Sequence, residues 1–368
     1  MNLHFAINDK FIDHFIHYSS KLNTTEDVIV VPTEDKNLKY IKRKDRITQC
    51  QPTLQSIYEA IGSLERVERI YIHYLTGLMV DFLNSFKSSK VKIVWIFFGA
   101  DAFNTDLFLR YTYDDLTKKF FKSVETDRIS VISFLKRQYR IYLRRKAISK
   151  VTHFAHYIQE DHELVKSKFP NCSAFVEFNH GGFTLFKKNI PDKFVDGKNI
   201  LVGNSSNPSN NHLEIFYLLK DFEINECNII CPLSYGGEEF YAKEVVERGS
   251  ELFGPNFQPL LDFMDRESYF NILSSVKIAI MNHNRSQAGG NILSLIWMGK
   301  YVFMKKDNTF YKFIKSLGVQ IFDLESDLDR YFTDSNFPQM DIQKNRVLIM
   351  DYFNEERSLE FYKKLLSV

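Results

Sequence analysis

At 368 residues, with 44% hydrophobic and 26% charged residues, the chain has the length of two ordinary domains and the balance of a soluble globular protein. A net charge of +2 gives no global field for nucleic acid, so no nucleic-acid partner is expected and any basic character must be local. The four cysteines form no C-x-x-C pair and read as reduced core residues, no stretch has the length of a transmembrane helix, and the start MNLHFAINDKF lacks the order of a signal peptide, so a cytoplasmic location is expected.

Apolar runs alternate with polar breaks along the first half. Residues 3–7 read as a strand with Asn8 and Asp9 at its carboxyl end, followed by a helix through Phe11, Ile12, Phe15 and Ile16. Further strands fall at 28–31, at 69–75 with His73 near its end, and at 91–98, where Gly99-Ala100-Asp101 follows directly. Helices near 54–61 and 78–86 separate them. Residues 104–128, with Asp114-Asp115 and Lys118-Lys119, read as a helical excursion at the domain edge. Residues 132–150 form a helix in which Lys136, Arg137, Arg140, Arg144, Arg145, Lys146 and Lys150 are interleaved with Phe134, Leu135, Tyr139, Ile141, Tyr142 and Leu143, and no acid occurs between Asp127 and Glu160. A basic amphipathic helix is expected to lie on an anionic membrane surface, with Arg140, Arg144 and Arg145 at the head groups. The plainer alternative puts its apolar residues on the sheet and its cations in water. Strands at 151–158 and 175–178 close this half.

A polar stretch with Pro and Gly at 187–198 marks a boundary. The second half repeats the pattern: a strand at 199–202, a polar loop at 203–212, a helix at 213–219, a strand at 228–233 followed by Tyr235, and helices at 238–248 and 268–275. The apolar run 276–281 is a buried strand. After it come a loop with no apolar residue, then Ala288-Gly289-Gly290-Asn291 opening a helix that Gly299 ends, a strand at 301–303 and helices at 308–316 and 341–366. Strand–helix alternation in both halves predicts an α/β fold of two Rossmann-like lobes facing a cleft. Residues 1–190 form the acceptor-side lobe, 198–340 the nucleotide-sugar lobe, and 341–368 a C-terminal helix packing back toward the first. Ligands of such sheets sit outside the carboxyl ends of the strands. A glycine pair opening a helix there suits a pyrophosphate, because oxygens can approach the backbone and the free N–H groups and helix dipole favour negative charge. Arg285 would add a charge-assisted bond. Taken alone, Gly289-Gly290 fits equally a turn that binds nothing, since it matches neither G-x-G-x-x-G nor a Walker loop.

Four segments carry a resemblance. Phe98-Gly99-Ala100-Asp101-Ala102-Phe103 resembles the W-G-A-D-L-Y segment of bacterial TDP-Fuc4NAc:lipid II Fuc4NAc transferases, which make enterobacterial common antigen. Residues 200–205 with Ser209, Asn210 and His212 resemble that family's I-L-V-G-N-S…S-N-D-H, residues 231–236 its V-P-M-G-Y-P, and residues 287–293 its Q-Q-G-I-G-T-L. The motifs keep the family's order over roughly residues 3–302. Phe98 replaces Trp, Gly290-Asn291 shifts the second glycine, and 104–128 is longer. The resemblance implies a GT-B glycosyltransferase. It would move a 4-acetamido-4,6-dideoxygalactose-like sugar from a dTDP-sugar donor onto a lipid-linked saccharide, in synthesis of enterobacterial common antigen or O-antigen, at the cytosolic face of the bacterial inner membrane. A GT-B nucleotide-sugar epimerase, and a non-catalytic protein that binds a sugar nucleotide or glycan, are the alternatives. Donor contacts are expected from Gly203, Asn204, Ser205, His212, Tyr235, Arg285, Gln287, Gly289, Gly290 and Asn291. Asp101, beyond the most apolar strand, is the candidate base, with a helix N-cap as its equally open role, and His73 is the runner-up base, with a structural role as its plainer alternative. No Asp-x-Asp follows a strand, so catalysis without a metal or other cofactor is expected.

Overall fold

The computed structural model describes all residues except 23–26, 89, 125–130, 173, 182, 184–186, 189, 192–193 and 225. The boundary read at 187–198 therefore falls partly outside the described residues. Two compact units emerge: Met1–Phe108 with Ile129–Gly182 and Phe353–Val368, and Leu109–Arg128 with Phe183–Tyr352.

The first unit is built on seven parallel strands: β1 (Asn2–Phe5), β2 (Asp27–Pro32), β3 (Thr48–Cys50), β4 (Arg69–His73), β5 (Lys92–Ile96), β6 (His153–His156) and β7 (Ala174–Glu177), in the order β3-β2-β1-β4-β5-β6-β7. The second has six: β8 (Asn199–Val202), β9 (Ile229–Pro232), β10 (Phe257–Leu260), β11 (Val276–Met281), β12 (Tyr301–Met304) and β13 (Phe322–Asp323), in the order β10-β9-β8-β11-β12-β13. Central strands are apolar on both faces because helices cover both, as parallel sheets require. In the first core Leu3, Phe5, Ile70, Ile72 and Trp95 are fully or almost fully buried; in the second, Ile200, Val202, Ile278, Ile280 and Phe303 are. Each order reverses once, at β1/β4 and at β8/β11, which places a crevice beyond the carboxyl ends of those two strand pairs.

Three strands had no signal in the sequence. Each is a short edge strand: β3 is Thr-Gln-Cys, β10 contains Pro259, and β13 is two residues long. Edges need little apolar surface and tolerate proline. The excursion 104–128 is also corrected. Its helices Leu109–Thr112 and Asp115–Val124 belong to the second unit, where Leu116, Phe120 and Phe121 pack against that unit's core. The C-terminal segment is two helices. Ile342–Tyr352 belongs to the second unit. Glu355–Ser367 packs on the first, with Tyr362 stacked on Tyr18 at 4.9 Å and the Leu365 carbonyl accepting from the Tyr71 hydroxyl at 3.2 Å. No described helix is long and apolar enough to cross a membrane.

Candidate active site

The polar loops after β8 and β11 meet at the reversal of the second sheet and are stitched together by side-chain amides. Gly203 has φ +69, and a Cβ there would stand 2.7 Å from Asn210 Oδ1 and 2.9 Å from His212 Nε2. Glycine is therefore needed twice, for the backbone conformation and for the space. Asn210 is the hub: its Oδ1 accepts from the Asn204 N–H at 2.9 Å and lies 2.8 Å from His283 Nε2, while its Nδ2 donates to the carbonyls of Ser205 and Asn207. Asn211, with φ +50, donates to the carbonyls of Thr112 and Asn282 and accepts from the Asp114 N–H at 2.8 Å. Gln287 crosses between the loops, accepting from Ser209 Oγ at 2.6 Å and donating to Asn204 Oδ1 at 3.2 Å.

The donor-site expectation divides in two. Gly203, Asn204, Ser205, His212 and Arg285 are buried framework; Arg285, 5% exposed, donates to the Ser286 carbonyl at 3.0 Å. Tyr235, Gln287, Gly289, Gly290 and Asn291 reach the surface, Tyr235 being 54% exposed while its hydroxyl accepts from Asn204 Nδ2. Ala288, with φ +58, turns the chain into the helix Gly289–Trp297, whose first turn has no side-chain cap and presents exposed Gly290. Burial pushes the His212 imidazole down to about 3 and holds His283 well below the usual range, so both are neutral rings and neither supplies charge to a phosphate. This has a consequence for stability. The unfolded chain protonates such a residue below about pH 6.5, whereas folded His212 stays neutral down to about 3. Its contribution is present above pH 6.5 and is lost as pH falls toward 3, amounting to about 2 kcal/mol at pH 5. Thermal melts at pH 7.5 and pH 5 should show the drop, and His212→Gln should reduce it.

In the first unit the two proposed bases are enclosed. Asp101 is 2% exposed and lies inside the one-turn helix Ala100–Phe103. Its Oδ2 accepts from the buried Trp95 indole at 2.6 Å and from the Leu75 N–H, and its Oδ1 from the Phe98 N–H. Burial pushes its carboxyl pKa up against those donors. The carboxylate ties strand β5 to the loops after β4 and β5, so the structure places it inside the unit and not at a mouth. His73 is 1% exposed, its Nε2 3.2 Å from His4 Nδ1, and burial holds it well below the usual range.

The helix Val131–Ile148 sits opposite to the plainer expectation. Arg144 points inward, donating to the carbonyls of Asp101 (2.7 Å) and Leu75 (3.2 Å). Arg137 and Arg140 reach Asp106 at 3.4 Å. Val131, Ile132, Phe134, Leu135, Tyr139 and Tyr142 are the residues left in solvent, between 50% and 75% exposed. Arg145 is exposed beside them, with Lys136 and Lys146.

Residues 96–356 match the family described as 4-alpha-L-fucosyltransferase, glycosyl transferase group 56. The chain belongs to this family. As a group 56 glycosyltransferase it uses a nucleotide-sugar donor and an acceptor. Its fold is of the GT-B type. Sucrose-phosphate synthase from Thermosynechococcus elongatus superposes with a TM-score of 0.65 at 9% identity, over 100% of this chain and 99% of that one. A glycosyltransferase from Rickettsia africae ESF-5 gives 0.59 at 12% identity, over 99% and 98%. A trehalose-6-phosphate structure from E. coli bound with UDP-2-fluoro glucose gives 0.59 at 9%, over 100% and 98%. At such identities the likeness concerns the fold alone.

The candidate site also contains residues that the sequence did not single out. Asp114, from the excursion, accepts from Asn284 Nδ2 (2.8 Å) on Oδ1 and from Asn282 Nδ2 (3.1 Å) and the Lys305 ammonium on Oδ2. Lys305 also donates to Asn284 Oδ1 at 2.7 Å. Asn308 caps the helix Thr309–Ser316 and donates to the carbonyls of His283 and Arg285 at 2.8 Å each. The available signal was the run of asparagines, at 204, 207, 210, 211, 282, 284 and 308, all close to strand ends. Asparagine both accepts and donates, so it can satisfy buried loop backbone without introducing charge.

Proposed function

We propose that the second unit binds a dTDP-sugar at the β8/β11 reversal and that the enzyme transfers a 4-acetamido-4,6-dideoxygalactose-like residue from it to a lipid-linked saccharide of a bacterial surface polysaccharide. The observation that carries the reading is the convergence of the 203–212 and 282–288 loops on the uncapped first turn of Gly289–Trp297. The diphosphate sits on the N–H groups of that turn, where the helix dipole favours it, and Tyr235 offers an exposed ring for the base. Arg285 adds positive charge below the loop, and the developing diphosphate charge is met without a metal. The UDP-sugar held by the E. coli structure is consistent with a nucleotide at this kind of fold. The exposed apolar face of Val131–Ile148 seats the first unit on anionic lipid, which gives the enzyme access to a lipid-linked acceptor from the cytosolic side.

The test is transfer. Purified enzyme with membrane-lipid acceptor is offered radiolabelled dTDP-, UDP- and GDP-deoxysugars in the presence of EDTA. Label should move to the lipid fraction from the dTDP donor. Gly290→Val should weaken dTDP binding by tenfold or more in calorimetry, by blocking backbone approach. Label moving only from a UDP- or GDP-sugar, or only without EDTA, would refute the donor or the metal-independent part respectively. Unchanged dTDP affinity in the valine variant would remove the phosphate site from this turn.

A further inference from the structure

The helix Thr309–Ser316 starts at the donor loops and ends at a second cavity, of about 390 Å³. The lining includes Lys315, Gln320, Asp341, Lys344 and Asn345, all within the second unit. Asn345 is fully buried. Its Oδ1 accepts from the Gln320 N–H at 2.8 Å, which fixes the orientation of the amide and leaves Nδ2 with no hydrogen bond among the described residues. Native proteins seldom leave a buried donor unmatched, so this one points to an acceptor from outside the chain. Lys315, in the last turn of Thr309–Ser316, and Lys344, in the first turn of Ile342–Tyr352, are both exposed, and neither forms an ion pair among the described residues. The other polar groups are engaged. The Gln320 side chain donates to the Gln339 carbonyl at 3.0 Å and accepts from the Asp341 N–H at 2.9 Å, and the Asp341 carboxylate accepts from the Lys344 N–H at 3.0 Å.

Two ammonium groups and an unmatched amide donor, against one carboxylate, suit a ligand with several acceptor oxygens and two negative charges. A phosphate dianion has both, and lysine meets it as a point charge. We propose that this cavity is a distal site for a phosphate group, free or carried on a small polar molecule, and that its occupation tightens nucleotide binding at the donor loops. The link is the helix Thr309–Ser316, about 12 Å long. Asn308, its cap, holds the carbonyls of His283 and Arg285 at 2.8 Å each, and Lys315 lies at its far end. A ligand that fixes Lys315 restrains the helix whose cap fixes the loop after β11, and a loop ordered beforehand costs the nucleotide less to bind. The helix Ile342–Tyr352, which carries Lys344 and Asn345, makes a second link: Arg346 Nε donates to the Trp297 carbonyl at the end of Gly289–Trp297, at 2.9 Å. The coupling rests on the nucleotide reading proposed above, whereas the site itself does not.

Calorimetric titration of the full chain with inorganic phosphate and with galactose 1-phosphate tests the site. Lys315→Gln with Lys344→Gln should weaken binding by about tenfold or more while the melting temperature stays at the parent value, because both side chains are exposed. Asn345→Asp keeps the acceptor for the Gln320 N–H and sets an oxygen where the unmatched donor stood, so it should weaken binding as well. Gly290→Val, at the donor turn, should leave the lysine-dependent binding in place. Tighter binding of the sugar phosphate identifies an organic phosphate and equal binding the free ion, and either upholds the site. With galactose 1-phosphate at saturation, dTDP should bind about fivefold more tightly to the parent and no more tightly to the lysine variant, and dTDP should tighten galactose 1-phosphate by the same factor. No binding at millimolar concentration, binding that survives the lysine substitutions, or binding that Gly290→Val abolishes overturns the site. A dTDP affinity that is unchanged or lowered overturns the coupling. A protein that takes galactose 1-phosphate through the lysines but binds no dTDP refutes the nucleotide reading and leaves the distal site standing.

Discussion

Asp114→Ala is expected to lower the melting temperature of the second unit by roughly 10 °C and to abolish nucleotide binding with it. The carboxylate accepts from two asparagine side chains and from Lys305, and its own N–H donates to Asn211. Both charged side chains are largely buried, at 22% and 19% exposure for Asp114 and Lys305. Removing one partner of such a pair leaves an uncompensated charge and costs about 3–5 kcal/mol. For a unit of this size each 1 kcal/mol moves the melting point by about 2–4 °C. The damage is local to the site, because Asn282, Asn284 and Lys305 then lose the carboxylate acceptor that ties the loop after β11 to this segment. Asp114→Ala with Lys305→Met should recover part of the loss, since a missing pair is cheaper than half of one. Differential scanning of the three proteins, with and without dTDP, decides. A single variant melting within 2 °C of the parent would mean that Asp114 does not anchor the loops.

Asp114 also shows where the sequence stopped being readable. The central strands of both sheets follow from the alternation of apolar runs and polar loops, because burial on two faces forces near-continuous apolar strands, whereas the strand order does not follow from it. The glycines at 203, 289 and 290 could be placed at strand ends for the same reason. Which unit the excursion joins could not be read. Leu116, Phe120 and Phe121 announce an amphipathic helix in need of a core, and nothing local says that the core is formed by strands beginning some eighty residues later. Asp101 misled in the opposite direction. Its place after an apolar strand suggested exposure, but a buried Trp95 indole six residues earlier needs an acceptor and takes this one. In the helix 131–148 apolar and cationic residues alternate with no clean period, so the sequence could not say which arc faces inward. The interior arc is occupied by Arg144, Ala147 and Ile148, and its polar atoms are satisfied by loop carbonyls.

That inversion changes the expected membrane contact. Val131, Leu135, Tyr139 and Tyr142 recur at helical spacing and share one side of the helix, and Ile132 and Phe134 flank them. All six are exposed. Isolated exposed apolar residues are ordinary, whereas a contiguous stripe is an interaction surface. The cations beside it, Lys136, Arg145 and Lys146, are exposed, and no acid interrupts the helix. Anionic lipid would match both features, with the side chains expected to enter the head-group boundary and the cations to remain at the phosphates. Each cation contributes on the order of 1 kcal/mol there, a share that salt removes. Burying apolar side chains contributes about 1.5–3 kcal/mol each when complete, so a stripe only partly inserted still outweighs the cations. Leu135→Ser with Tyr139→Ser and Tyr142→Ser should therefore reduce binding to phosphatidylglycerol vesicles more than 100-fold, at any ionic strength. Lys136→Glu with Arg145→Glu and Lys146→Glu should remove mainly the salt-sensitive part. Arg144→Glu is the wrong probe, because it would break the bonds to the Asp101 and Leu75 carbonyls inside the unit. Sedimentation with anionic and with neutral vesicles separates these contributions. A parent protein that stays in the supernatant, or a serine variant that sediments as the parent does, would leave the stripe without a bilayer to face.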